Sequence, residues 1–253
     1  MAVLKRTCLT LILGLLLFTA FGQKQQKVFD PRDFMYKREA SGGLRILTSG
    51  VGMYLEYGWI KDIHKTRLIQ LEYQYFIDYR QKRQHSQNQG GRDFAFGMQN
   101  RFHAIRFSYG IKKVIADKAA RNGVCVSFSV FGGLSLGLVK PYYLNLLQPN
   151  DGGIQVIKPE RYSEANASRF LSLDSIVEAA PIRYGLNQID PVPGLHGKFS
   201  LDFDFGKKDE FVKALEAGVM LDLYYKRIPI MVNNSNRFYK IGLYLAFHFG
   251  KRW

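Results

Sequence analysis

Cysteine is almost missing from this chain: Cys8 and Cys125 are the only thiols in 253 residues. Cys8 falls in an N-terminal segment that reads as a removable export signal. Cys125 is then left without a partner, so no internal disulfide staples the fold. Also missing, after Gly22, is any run of about 18 apolar residues, which excludes a transmembrane helix. No apolar stripe of period 3.6 stands out, which argues against a helical domain. No His, Cys and Asp spacing matches a metal site, and no cofactor is expected. Gly132-Gly133 precedes no strand-to-helix switch, so it is not a phosphate loop. Acidic side chains are in the minority, 21 against 36 basic ones, for a formal charge of +15.

The export signal spans residues 1–22. Lys5 and Arg6 make the basic start, Leu9 to Phe18 the apolar core, and Ala20-Phe-Gly22 the small residues before a cut. The core is too short to span a bilayer comfortably, and Cys8 is not placed to become a lipidated terminus. Losing Lys5 and Arg6 lowers the formal charge by two, from +15 to +13. For a basic exported chain, anionic lipid and lipopolysaccharide are more natural partners than nucleic acid.

What the chain has in quantity is alternation. In Tyr239–Trp253 the residues Tyr239, Ile241, Leu243, Leu245, Phe247 and Phe249 share one face. Lys240, Gly242, Tyr244, Ala246 and His248 share the other. The same pattern recurs over 50–60, 67–80, 102–113, 123–140, 195–206 and 211–225, making seven strands. Short links (61–66, 114–122, 206–210) alternate with long ones (81–100, 142–193, 226–237). Outer-membrane barrels have an even strand number, short periplasmic turns and long external loops. The first clear strand must therefore run inward, and an earlier one must precede it. Val28–Lys37 is assigned that role, beginning after Pro31, with Glu39–Gly43 as its loop.

The expected fold is all-β: an eight-stranded antiparallel transmembrane β-barrel of outer-membrane type over 23–253, with one long external loop at about 142–193. The 15 Tyr and 19 Phe suit aromatic girdles at the two interfaces. A soluble lipocalin-like barrel has the same periodicity with its faces reversed. The small and charged face suits a narrow lumen better than a solvent surface. That face carries Glu56, Glu72, Asp78, Arg106, Lys112, Lys198, Asp202, Asp204, Glu216, Asp222, Lys240 and His248. An eight-stranded barrel is just wide enough for side chains to fill, so these charges should pair across a plugged lumen. An ion or proton path along the acidic residues is the functional alternative.

A catalytic site needs a nucleophile beside a base. His196 with Ser200 or Asp202 is the only arrangement that approaches one, and a polar lumen residue is the simpler reading. His64 falls in a turn, His85 in an external loop, and His103 on the lipid face near a strand end. No catalytic residue is assigned. Outside the barrel, Arg80, Lys82 and Arg83 form a basic cluster suited to lipopolysaccharide phosphates. The apolar groups of the long loop (Ile154, Val156, Ile157, Phe170, Leu171, Ile176 and Val177) suggest that it folds over the mouth.

Phe96-Gly-Met-Gln-Asn100 leading into Phe102, Gly132-Gly-Leu-Ser-Leu-Gly-Leu-Val-Lys-Pro-Tyr-Tyr-Leu144, Lys213-Ala-Leu-Glu-Ala-Gly-Val219 and Phe249-Gly-Lys-Arg-Trp253 resemble an uncharacterised family of Bacteroidota outer-membrane β-barrels. The Gly22-Gln23 junction is similar to exported proteins of that group. The resemblance covers most of the mature chain and implies cell outer-membrane location and fold, with no activity attached. The functional expectation is a non-enzymatic accessory or scaffold subunit of an envelope assembly, secretion or uptake complex, with other envelope proteins as partners. A small pore or transporter and a lipid A-modifying enzyme are the alternatives.

Overall fold

The computed structural model describes residues 36–253 apart from 63, 79–80, 87–90, 119–122, 150–154, 207–209 and 233–235. Eight long strands close into one antiparallel barrel: β1 (Arg38–Leu47), β2 (Gly50–Asp62), β3 (Lys65–Phe76), β6 (Asn100–Ala116), β7 (Cys125–Pro141), β11 (Asp190–Asp204), β12 (Phe211–Tyr224) and β13 (Tyr239–Arg252). Each pairs with its sequence neighbour in the barrel, and β1 closes the ring against β13. The remaining strands are short and lie outside it: β4 (Lys82–Gln84), β5 (Phe94–Phe96), β8 (Tyr143–Pro149), β9 (Gln155–Arg161) and β10 (Ile176–Ala179). Short links join β2 to β3, β6 to β7 and β11 to β12 at one end. The long segments between β3 and β6, β7 and β11, and β12 and β13 all lie at the other.

The apolar face points outward. Leu44, Leu55, Leu134, Leu195, Ile241 and Leu243 are each at least 60% exposed, while the polar face is buried inside. A soluble barrel would bury these leucines, and the cost of leaving a belt of them in water excludes that reading. The molecule is an eight-stranded barrel of the outer-membrane type.

The first strand departs from expectation. Residues 28–35 lie outside the described set, and Glu39–Gly43 is not a loop but the first half of β1. The sequence conceals this because Ser41-Gly42-Gly43 has no alternation and looks like a turn. Packing supplies the reason for glycine: a Cβ on Gly43 would sit 2.1 Å from the Phe247 carbonyl oxygen and 2.9 Å from the Tyr54 ring. The connection to β2 is then only Thr48-Ser49, and Gly50 enters β2 with a φ of 141°, a region L side chains avoid.

The long connection is not structureless. It folds into a sheet in the order β10-β8-β9, with a helical turn at Ala167–Phe170, and β11 begins at Asp190 rather than after Pro193. Pro191 and Pro193 are tolerated because β12 pairs with β11 only as far as Gly194. Above that, β11 is an edge toward β12 and needs no N–H there. Leu144, Leu146, Phe170, Ile176 and Val192 of this region pack with Phe76, Phe102 and Tyr224 of the barrel rim. Phe94, Met98, Ile228 and Ile230 of the other two connections complete the same buried cluster. The mouth is therefore covered by an apolar plug.

Leu134 lies midway along β7 on the outer face. Leu134→Arg should destabilise the barrel in lipid vesicles by about 2–4 kcal/mol, read from denaturant unfolding. A neutral effect would mean that this face meets water.

Candidate functional site

The lumen is the place where this fold concentrates its chemistry. Every barrel strand contributes to it, because alternation sends each second side chain inward. At its centre Glu72 accepts hydrogen bonds from two guanidinium groups, Arg45 Nη1 from β1 and Arg106 Nη1 from β6, the latter at 2.6 Å. Arg106 continues the chain. Its Nε and Nη2 donate to the two oxygens of Asp222 at 2.9 and 2.6 Å, and Nη2 also donates to Gln74 at 2.6 Å. This fork-to-fork geometry is the strong form of an Arg–carboxylate pair. Arg45 lies between the faces of Tyr54 and Tyr244, 4.4 and 4.3 Å from their centroids, so its flat guanidinium is enclosed as well as neutralised.

Glu216 forms a second hub. It accepts from Arg45, Tyr54, Lys198 and Tyr244, which come from four different strands. Lys198 also donates to Gln70 at 2.9 Å and rests 3.9 Å from the centroid of the Phe131 ring. Toward the turn end, Arg252 donates to Glu39 at 2.7 Å and to Asp204 at 3.3 Å, and Lys112 stands 3.5 Å from Glu39. Ser129 donates to Asp202 at 2.6 Å.

Ten of the twelve polar residues assigned to the lumen are buried there: Glu56, Glu72, Arg106, Lys112, Lys198, Asp202, Asp204, Glu216, Asp222 and His248. Asp78 and Lys240 are not; both are only half-buried, beside the strand ends at the loop side. Alternation gave them the right face but could not say that the lumen ends below them. Sequence reasoning missed Glu39 and Arg45, because both belong to the strand it misplaced. Arg252, one alternation step beyond Gly250, was also overlooked.

His196 does not form a dyad with Ser200 or Asp202. Its Nδ1 lies 2.8 Å from Asp222 Oδ1, across the β11–β12 pair, which makes it a further member of the Arg106–Asp222 chain. Strand register decides this: His196 stands opposite Asp222, while Ser200 and Asp202 are further along its own strand. His103 is on the outer face as expected. Its Nδ1 is 2.7 Å from the Tyr73 hydroxyl and its ring lies 5.0 Å from that of Tyr75, an aromatic group of the kind found at a lipid interface. Of the basic cluster, Arg80 lies outside the described residues. Lys82 and Arg83 are exposed on β4, opposite Phe96 and Ala95 of β5.

The external cap has polar ties of its own. Arg92 binds Glu178 through its backbone N–H at 3.0 Å and its guanidinium at 3.0 Å, and Asn145 donates to the same carboxylate at 2.9 Å. The backbone N–H bond from Arg92, helped by its positive charge, holds the Glu178 carboxyl below the usual range. Lys140 donates to the Ile182 carbonyl, and Tyr143 donates to Gln188 at 2.9 Å.

Three outcomes follow. Arg106→Ala leaves Glu72 and Asp222 buried without their shared cation, so unfolding in lipid vesicles should become easier by about 3–5 kcal/mol. Lys82→Ala, at an exposed site, should change stability by no more than about 0.5 kcal/mol. The Glu178 contact, with its lowered folded pKa, contributes fully above the ordinary glutamate pKa of about 4.3 and is lost as pH falls through the folded value. Hydrogen-exchange protection factors at residues 176–179, corrected for the intrinsic pH dependence of exchange, should therefore fall in acid before those of the barrel strands.

No family model matches the sequence, and no curated protein matches it either. Several solved structures are similar in backbone arrangement. Ail, the attachment invasion locus protein of Yersinia pestis, seen in complex with the heparin analogue sucrose octasulfate, is 10% identical over 85% of this chain and 97% of its own, with a TM-score of 0.40. Neisserial surface protein A is 9% identical over 85% and 96%, with a TM-score of 0.42. The N-terminal β-barrel domain of Pseudomonas aeruginosa OprF is 7% identical over 86% and 98%, with a TM-score of 0.35.

Proposed function

We propose that this protein is a non-catalytic barrel of the cell outer membrane that acts as an accessory or scaffold subunit of a larger envelope assembly, secretion or uptake complex. The observation that carries the reading is the combination of a filled lumen with a folded cap. Polar side chains of the eight strands, charged on all but β7, bond to one another across the interior, and the three long connections cover the mouth with a shared apolar cluster. A lumen filled this way among the described residues speaks against a wide pore. Its elaborated part faces outward.

The cap presents apolar groups to its surroundings. Ile182 is 71% exposed and Leu186 51%, on a segment tied down by Lys140 at the Ile182 carbonyl and by Tyr143 at the Gln188 side chain. Exposed apolar side chains on an ordered segment suit a protein partner. Lys82 and Arg83, exposed on β4, are placed to meet lipopolysaccharide phosphates beside it.

The test is extraction of tagged protein from native outer membranes in mild detergent, with co-purifying proteins identified by mass spectrometry. Stoichiometric envelope partners are expected, and Ile182→Glu with Leu186→Glu should release them while the barrel stays folded. Purified protein in planar bilayers should show no stable conductance. A lone monomer that conducts would replace this reading with a small pore.

A further inference from the structure

The spacing of His, Asp and Glu along the chain holds no metal-binding pattern, yet the closed barrel assembles one from three strands. Glu39 on β1, Glu56 on β2 and His248 on β13 each direct one acceptor atom toward the others, all within 4.8 Å of one another. All three residues are almost wholly buried. Among the described residues Glu39 Oε1, Glu56 Oε1 and His248 Nε2 accept no hydrogen bond, and of the three only Glu39 Oε1 has a cation close by, Lys112 Nζ at 3.5 Å. Buried acceptors facing one another repel and forfeit hydration, so a cation among them would offset a cost of folding.

The protonation of His248 can be deduced from its neighbours. Tyr54 has one hydroxyl proton. Its oxygen lies 3.1 Å from Glu216 Oε2 and 2.9 Å from His248 Nδ1. Glu216, bonded to Arg45 and Lys198, is ionised and can only accept, so the tyrosine proton goes to it. His248 Nδ1 must then carry a proton and donate to Tyr54. Its Nε2 is left as a bare lone pair. Glu56 Oε1 stands 4.0 Å from that nitrogen, inside the span of two ligands each about 2.0–2.2 Å from a shared ion.

Each ligand is also held from behind. Gln70 donates to the other oxygen of Glu56 at 2.9 Å, Arg252 to the other oxygen of Glu39 at 2.7 Å, and Tyr54 fixes the imidazole tautomer. Outer partners of this kind orient metal ligands and leave one lone pair free. Asp202 and Glu216 also approach His248, but Glu216 already accepts from four side chains and Asp202 from Ser129. Lys112 Nζ, 3.5 Å from Glu39 Oε1, is the internal competitor for the same charge.

We propose that Glu39, Glu56 and His248 form a buried site for one divalent transition-metal ion of the zinc type, which ties β1 and β2 to β13 beside the seam where the barrel closes. One imidazole with two carboxylates is a borderline N/O donor set that suits zinc and manganese better than calcium or magnesium. The role is structural: the ion bridges the first and last barrel strands.

The experiment uses the full chain without a histidine tag, both extracted in folded form from membranes and refolded from urea with zinc chloride. Unbound metal is removed by gel filtration, and metal per chain is measured by plasma mass spectrometry. Folded barrel is separated from unfolded chain by heat-modifiable gel mobility. About one zinc per folded chain is expected, falling at least tenfold in Glu56→Gln and His248→Gln and unchanged in His85→Gln. Cobalt-loaded protein gives a second readout, a visible ligand-field spectrum that His248→Gln abolishes. If folded wild-type protein from either source holds no more zinc than His248→Gln, the site is satisfied by Lys112 or water and the proposal fails. The same holds if His85→Gln removes the metal.

Discussion

Glu72 between two arginines is the interaction on which the interior depends. Arg45 from β1 and Arg106 from β6 both donate to it, and Arg106 passes the chain on to Asp222 of β12. None of these groups reaches water. Each ionised side chain is therefore stable only while its partners are in place, since removing one strands another charge in a dry interior. The network can form only when the ring is closed, because its members come from strands distant in sequence. Closure and charge pairing are one condition, and this is why the lumen is filled by side chains.

The constraint also explains the shape outside the barrel. With a lumen filled by salt bridges, the upper rim would expose Phe76, Phe102 and Tyr224 to solvent. The three long connections bury these rings under an apolar cluster to which all three contribute. The cap is thus part of the hydrophobic core of the molecule rather than a mobile insertion. Its outer side carries exposed groups such as Ile182 and Leu186.

Much of this was legible in the residues. Alternation located seven strands, link lengths required an eighth, and the face content separated lumen from lipid. Ten of the residues assigned to the inner face are buried for the same reason. The failures share a physical origin. Ser41-Gly42-Gly43 has no hydrophobic pattern, so β1 was misplaced and Glu39 and Arg45 went with it. Asp78 and Lys240 obey alternation but stand where the lumen has ended. His196 was weighed against Ser200 and Asp202 on its own strand, whereas its partner is across the ladder on β12.

The amino-acid order by itself determined which side chains share a face and how long the links are, since a strand's period of two is a local property of the backbone. From that followed the barrel, its strand count and its polar interior. Only the tertiary structure decided which charge meets which, and whether Glu39, Glu56 and His248 ever come together. Those contacts depend on register between strands and on closure of β1 against β13, which no local pattern encodes. The cap was settled in the same way: its apolar residues were visible, but the shared cluster exists only once three separate connections meet above one mouth.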